Sequence, residues 1–217
     1  MAEAVGAFNW VAPLINSSLT FVAGAFVLAR YHWNRLRQSV FLGVALIFLG
    51  LTYFMEFGYK VGLIAATVVP FLLENSFLSI AMVLLYCGCA LFFTRRKLYT
   101  TFLASLLLVV QEITIVYFYL IANDQFPVIS INIIFFGIPI AVFAGSSFFL
   151  DYLSSKRRAS LLIAVSSWAY SGLGPLFYLV NLTPYELVFH LLSALTIVVM
   201  FVGFTMLAGS KSESMAR

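Results

Sequence analysis

The stretch RRKLYTTFLASLLLVVQEITIVYFYLI at residues 95–121 places three cations directly before 24 residues that contain a single charge, Glu112. A helix needs about 20 consecutive, mostly apolar residues to cross the hydrocarbon core of a bilayer. The stretch therefore predicts a spanning helix that starts at a basic boundary. The whole chain has the same character, because 63% of its 217 residues are hydrophobic and only 9% are charged. We predict an all-α, polytopic integral membrane protein.

Apolar runs bounded by charged residues, Pro or Asn predict seven transmembrane helices in one domain, residues 1–217. Residues 60–73 are apolar but contain Pro70 and are too short to span the bilayer. We interpret them as a connection on the outer membrane face, and the alternative is a longer third helix. The predicted helices are 8–31, 38–59, 74–94, 98–121, 128–152, 158–180 and 185–208.

The basic residues lie almost entirely on one side of these helices. They follow the first, third, fifth and seventh helices, and only Lys60 lies on the other side. Short loops rich in Lys and Arg stay in the cytoplasm during insertion. The pattern predicts a multi-pass protein of the cell membrane with its N-terminus outside and its C-terminus in the cytoplasm. An alternative use for the same cations is to dock acidic lipid or a signalling protein. The basic residues are Arg30, Arg35, Arg37, Arg95, Arg96, Lys97, Lys156, Arg157, Arg158, Lys211 and Arg217.

Four polar residues within the predicted helices are candidates for binding a ligand or a proton: Glu74, Glu112, Ser171 and His190. A carboxylate at the middle of a spanning helix, such as Glu112, costs about 2.5–3.5 kcal/mol even on lenient scales, so it should face the bundle interior. The alternative is a hydrogen-bonded packing residue. Pro175 removes a backbone donor close to Ser171. Because most of these residues fall in the outer half of the bundle, we expect an outward-opening cavity.

No metal, haem or catalytic site is expected from the sequence. Zinc sites usually take about three protein ligands with His prominent, whereas His32 and His190 are predicted at opposite membrane faces. Cys87 and Cys89 are two positions apart in one helix, so they face different directions and are interpreted as packing residues. No catalytic motif accompanies the helical serines, so we expect neither an enzyme nor a nucleic-acid partner.

An internal similarity appears when the chain is shifted by 121 positions. The first two helices then match the fifth and sixth, as in the parallel three-plus-one-plus-three arrangement of some transporters. The alternative is chance, since all membrane hairpins share charge and hydropathy patterns. The matched pairs are Ala23 with Ala144, Gly24 with Gly145, Tyr31 with Tyr152, Arg37 with Arg158, Ser39 with Ser160 and Val44 with Val165.

The number of helices, the chain length and the longer second connection resemble the seven-helix scaffold of the microbial rhodopsins. The segment Glu74-Asn75-Ser76, with Ser79 and Met82, is similar to the third-helix segment of the heliorhodopsin branch. That resemblance implies the position of the family's acidic counterion at Glu74.

In the seventh helix, Glu186, Val188, Phe189 and Ser193 resemble the heliorhodopsin segment that leads to the retinal lysine. The position of that lysine is occupied here by Ile197. All four lysines of the chain lie at or beyond predicted helix ends, so covalently bound retinal is excluded. The predicted orientation also agrees with rhodopsins in general and is opposite to that of heliorhodopsins.

Three classes of function remain open from the sequence. The first is a receptor-like sensor or signal-relay module that binds a small ligand or a proton and acts through a membrane or cytoplasmic partner. The second is a small-solute or proton-coupled transporter or channel centred on Glu112. The third is an accessory subunit of a larger membrane complex. A homo-oligomer is compatible with each of the three.

Overall fold

The computed structural model describes residues 10–34, 37–65, 67–93, 97–121, 131–180 and 185–215. In this part of the chain there is no strand, and the all-α prediction is confirmed. A π-helical segment, Tyr117–Ile121, continues α4, and another, Ile131–Gly137, leads into α5. The seven long helices are α1 (Val11–Asn34), α2 (Arg37–Lys60), α3 (Val68–Phe93), α4 (Lys97–Val116), α5 (Ile138–Ser155), α6 (Arg158–Val180) and α7 (Glu186–Met215).

Six of the described helices are long and apolar enough to cross a membrane, which is compatible with a multi-pass membrane protein. The long helix outside this set is α6, which has 23 residues and contains four serines. Two of these serines, Ser166 and Ser167, are buried, and the Ser166 hydroxyl donates to the Leu162 carbonyl at 2.8 Å. The polar groups of α6 are therefore largely satisfied inside the bundle.

The connection between α2 and α3 is shorter than predicted. The described residues of the connection, 61–65 and 67, include Gly62 with a φ of 72°, and α3 already begins at Val68. Pro70 lies in the first turn of α3, where backbone N–H groups have no acceptor within the helix. A proline at this position therefore breaks no hydrogen bond. The interpretation of residues 68–73 as a connection was therefore wrong, and the alternative, a longer third helix, is confirmed from Val68 onward.

Some predicted features fall outside the described residues. These are the start of the first helix at 8, the start of the fifth helix at 128, and Arg35, Arg95, Arg96 and Arg217.

Six helices form a closed ring, and α4 lies outside it. The order of helices around the ring is α1, α2, α3, α5, α6 and α7, and α7 packs against α1 to close it. The main helix contact of α4 is α3. Its apolar side chains Phe102, Val109 and Ile113 are exposed, as expected for a surface that faces lipid tails.

The first hairpin of each half packs through one equivalent glycine contact. A Cβ built on Gly24 of α1 would lie 3.0 Å from the Ile47 side chain of α2. A Cβ built on Gly145 of α5 would lie 2.5 Å from Trp168 of α6. Both the glycines and their neighbours are 121 positions apart. Small residues at such contacts allow membrane helices to approach closely.

A second pair of glycines joins the last two helices of each half. A Cβ on Gly88 of α3 would lie 2.6 Å from Leu42 of α2, and one on Gly203 of α7 would lie 2.7 Å from Ile163 of α6. Leu42 and Ile163 are again 121 positions apart, whereas Gly88 and Gly203 are 115 positions apart. The two halves therefore share the first contact in full and the second only in the residue that the glycine meets.

The hydrophobic core is largest in one half of the bundle. Its largest cluster comes from the end of the bundle where α2 and α6 begin, and includes Leu42, Cys89, Phe148 and Phe204. Cys87 packs in a smaller neighbouring cluster, and both cysteines are free thiols. The opposite half of the bundle is not filled in this way and contains the cavity described next.

Candidate ligand-binding cavity

A cavity of about 530 Å³ lies at the end of the bundle where α3, α5 and α7 begin and α2 and α6 end. At the start of α5 it is lined by Ile138, and by Gly137 of the π-helical segment directly before it. Lys156, which caps the other end of this helix, is therefore about 27 Å away at a rise of 1.5 Å per residue. The cavity and the described basic loop at Lys156 lie at opposite ends of the molecule.

A charged cluster lies at the mouth of the cavity. Lys60 Nζ is 2.9 Å from Glu56 Oε1, one turn earlier on α2, and His190 Nε2 of α7 lies 3.3 Å from the same oxygen. His190 is 2% exposed, whereas about a fifth of the Glu56 and Lys60 side chains is exposed, at 21% and 22%. The cluster therefore ties the last turn of α2 to α7 and remains accessible from the end of the bundle.

A second carboxylate, Glu74 of α3, also lines the cavity. Tyr59 of α2 lines the cavity too, and its buried hydroxyl has no hydrogen-bond partner among the described residues. Among the described residues, Glu74 takes part in no ion pair. The cavity thus contains one carboxylate that is paired and one that is not.

A chain of three side-chain amides connects the cavity wall to α4. Gln111 Nε2 of α4 donates to Asn132 Oδ1 at 2.7 Å, and Asn132 Nδ2 donates to Asn75 Oδ1 at 3.0 Å. Asn75 in turn donates to the Phe71 carbonyl at 3.0 Å. Asn75 and Asn132 line the cavity, and Asn132 belongs to the π-helical segment before α5. Such segments are frequent at functional sites.

The structure brings three of the four sequence-predicted site residues together. Glu74, Ser171 and His190 all line the cavity, and Glu112 does not. Glu112 Oε2 instead accepts a hydrogen bond from Ser76 of α3 at 2.8 Å. Because α4 lies outside the ring, its inward face meets α3 and not the cavity. The other carboxylate oxygen of Glu112, Oε1, is buried without a hydrogen-bond partner among the described residues.

Ser171 and the proline that follows it shape the α6 wall. The Ser171 hydroxyl donates to the Trp168 carbonyl at 2.7 Å, and Pro175 supplies no N–H for the Ser171 carbonyl. Gly174 also lines the cavity. Without a side chain at Gly174, α6 can approach Ile133, whose Cγ2 would be 2.9 Å from an added Cβ.

The cavity floor is apolar and aromatic. The hydroxyls of Tyr53 and Tyr170 lie 3.3 Å apart and join α2 to α6. Both rings pack against a buried cluster that contains Leu49, Ala81 and Ile197. Ile197, which stands where the rhodopsin resemblance would place the lysine, is 1% exposed in this cluster. That position therefore adjoins the cavity floor.

Several cavity residues were missed in the sequence-based list of site residues, notably Glu56, Asn75 and Asn132. One signal for Glu56 was its place four residues before Lys60, the only basic residue predicted on the outer side. Asn75 and Asn132 carry no such signal, because an amide in an apolar helix gives no indication of the helix it will face.

These helices and this cavity are compatible with a multi-pass helical membrane protein that has a polar cavity at one end. No group of three metal-ligating side chains occurs in the described part of the chain. No family model matches the chain, and comparisons with curated proteins and with solved structures give no significant match.

Proposed function

We propose that the protein crosses the cell membrane seven times and binds a small ligand in this cavity, as a sensor that passes the binding event to a partner. The cavity is the observation that carries the proposal. Its volume of about 530 Å³ falls within the roughly 300–1,000 Å³ typical of small-molecule sites. Its wall is mainly apolar, with a few charged and amide groups that could orient a ligand.

The proposed orientation follows from the placement of charge. Lys156, Arg157 and Arg158 are exposed at the end of the bundle remote from the cavity. If this end is cytoplasmic, as the distribution of Lys and Arg favours, the cavity opens to the outside of the cell. The 23 residues of α6 are then the sixth of seven crossings.

The amide chain offers a route from the cavity to the periphery. A ligand that competes for Asn75 or Asn132 would change the hydrogen bonds that hold Gln111, and with it α4 against α3. A sensor needs only a few kcal/mol of differential binding between two helix arrangements. Since α4 lies outside the ring, it can shift with less repacking than any helix within it.

The test is to identify a ligand and show that it occupies the cavity. Native mass spectrometry and an absorption spectrum of the purified protein would reveal a co-purified small molecule, and a thermal-shift screen would find added ones. Leu78→Trp should fill the cavity and abolish binding. Phe102→Trp, on the exposed face of α4, is the matched control and should retain it. Binding that is equal in both variants, or absent throughout, would contradict the proposal.

A carrier is the second candidate, and the matching glycine contacts favour it. Two three-helix halves that share glycine-mediated contacts, and a cavity lined from both, are the arrangement in which halves of a transporter rock against each other. A ligand found in the binding screen should then be taken up by proteoliposomes, and Leu78→Trp should stop the flux. Binding without flux supports the sensor instead.

A further inference from the structure

We propose, on the basis of the proposed function, that the ligand of this cavity is a small organic cation of the ammonium type, with the Glu74 carboxylate as its counter-ion. The proposal rests on three features of the wall: the pairing of its charges, the placement of Glu74, and the aromatic rings around it.

The charges of the wall are unequally paired. Lys60 and His190 both approach the same oxygen of Glu56, at 2.9 and 3.3 Å. Glu74 lines the same wall and forms no ion pair with a described residue. A cationic ligand group would be attracted to this carboxylate, whereas an anionic one would be repelled.

Because Glu74 is largely removed from water, a cationic ligand group would stabilise its carboxylate. A carboxylate removed from water needs a paired charge or hydrogen bonds to offset the cost of desolvation. The buried Tyr59 hydroxyl also lines the cavity but makes no hydrogen bond to a described residue. An ammonium group can supply a full opposite charge within the same cavity.

The surroundings of Glu74 are aromatic, which suits an organic cation better than a metal ion. Phe71 lies one helical turn before Glu74 and on the same face of α3, and it also lines the cavity. Its ring is stacked on Tyr119 with centroids 4.6 Å apart and an interplanar angle of 20°, which holds it in place. Aromatic faces attract ammonium groups through cation–π interactions. The aromatic residues of the wall are Trp10, Tyr53, Tyr59, Phe71, Tyr170 and Phe189.

The experiment measures the affinity of the full chain in lipid nanodiscs for matched probes by isothermal calorimetry and thermal shift. The cationic probes are choline and benzyltrimethylammonium, and 3,3-dimethylbutan-1-ol is the neutral isostere of choline. We expect at least one of the cations to bind and the neutral isostere to bind much more weakly. Glu74→Gln should weaken cation binding by roughly 10- to 100-fold, through the loss of one interaction between opposite charges.

The control is Glu112→Gln, which makes the same chemical change outside the cavity and should leave the affinity unchanged. Both variants must unfold at similar temperatures without ligand, which shows that folding is intact. Failure of both cations to bind, or equal binding in Glu74→Gln and the parent protein, would overturn the cation assignment. In that event, neutral or anionic ligands that Leu78→Trp displaces would still support the cavity as a binding site. If the cavity binds nothing at all, the proposed function falls with the cation.

Discussion

Adding one methyl group at Gly203 should destabilise the protein, whereas the same addition at Gly172 should not. A Cβ on Gly203 would lie 2.7 Å from Ile163 Cγ1 and 3.0 Å from the Ala159 carbonyl oxygen. The isoleucine side chain could adjust, but the carbonyl belongs to the backbone of α6 and could move only with the helix. A Cβ on Gly172 of α6 would meet no atom within 4 Å.

The magnitude follows from two opposing terms. Replacing a helical glycine by alanine restricts the unfolded chain and stabilises by about 0.5–1 kcal/mol, and this term is common to both variants. Overpacking costs about 1–3 kcal/mol and applies only at Gly203. The free energy of unfolding of Gly203→Ala should therefore lie about 1–3 kcal/mol below that of Gly172→Ala.

The measurement is reversible unfolding in bicelles by sodium dodecyl sulfate, followed by circular dichroism. Gly88→Ala tests the correspondence between the two halves, since Gly88 packs on Leu42 as Gly203 packs on Ile163. All three atoms nearest to a Cβ at Gly88 belong to Leu42, and the closest two are in its side chain, so its loss should be smaller than that of Gly203→Ala. A Gly203→Ala variant as stable as Gly172→Ala would refute the packing described for α6 and α7.

Three further predictions concern buried amides and orientation. Asn132→Ala should lower the free energy of unfolding by about 1–2 kcal/mol, because it breaks two interhelical hydrogen bonds. The same unfolding assay in bicelles measures this change, and an unchanged free energy of unfolding would contradict the amide chain. Asn16→Leu should raise the free energy of unfolding by about 1 kcal/mol, because burying a polar group without a hydrogen bond is costly. Both side-chain amide atoms of Asn16 are buried without a hydrogen-bond partner among the described residues. A loss of stability would show that the amide has a partner. In intact cells, a membrane-impermeant maleimide should label Tyr185→Cys but not Lys156→Cys, and the reverse result would invert the proposed orientation.

The helices themselves could largely be predicted from the sequence. The sixth helix was predicted at 158–180 and is observed as Arg158–Val180, and the second was predicted at 38–59 and is observed as Arg37–Lys60. Hydropathy locates such segments because the length of the apolar run is set by the bilayer. The early start of α3 was missed because Pro70 was taken as a break, although a proline in the first turn costs no hydrogen bond.

The arrangement of the helices could not be predicted in the same way. An apolar side chain that faces lipid, such as Phe102, has the same character as one that faces the core, such as Phe148. Hydropathy therefore gave no sign that α4 lies outside the ring. The depth of Glu112 in the membrane followed from counting residues, but its neighbours depended on the position of α4, and this is why it packs on Ser76 and not in the cavity.

The site residues that could be predicted are those whose position along a helix alone places them at the cavity end of the bundle. Glu74 and His190 share the cavity because both lie within two turns of a helix start at the same end of the bundle. Ser171 joins them from the end of α6. The amide chain depends on which faces meet, and neither periodicity nor charge in this sequence determines that.

The position of α4 has a consequence for the way the two halves are arranged. A unit of three crossings enters the membrane on one side and leaves on the other, so a copy fused directly behind it would be inserted upside down. In the proposed topology one additional crossing restores the orientation, and this crossing is α4, which lies on the outer surface of the bundle and takes no place among the six ring helices. If the proposed topology holds, excising α4 would turn α5 to α7 over and carry the cations at 156–158 to the wrong side of the membrane.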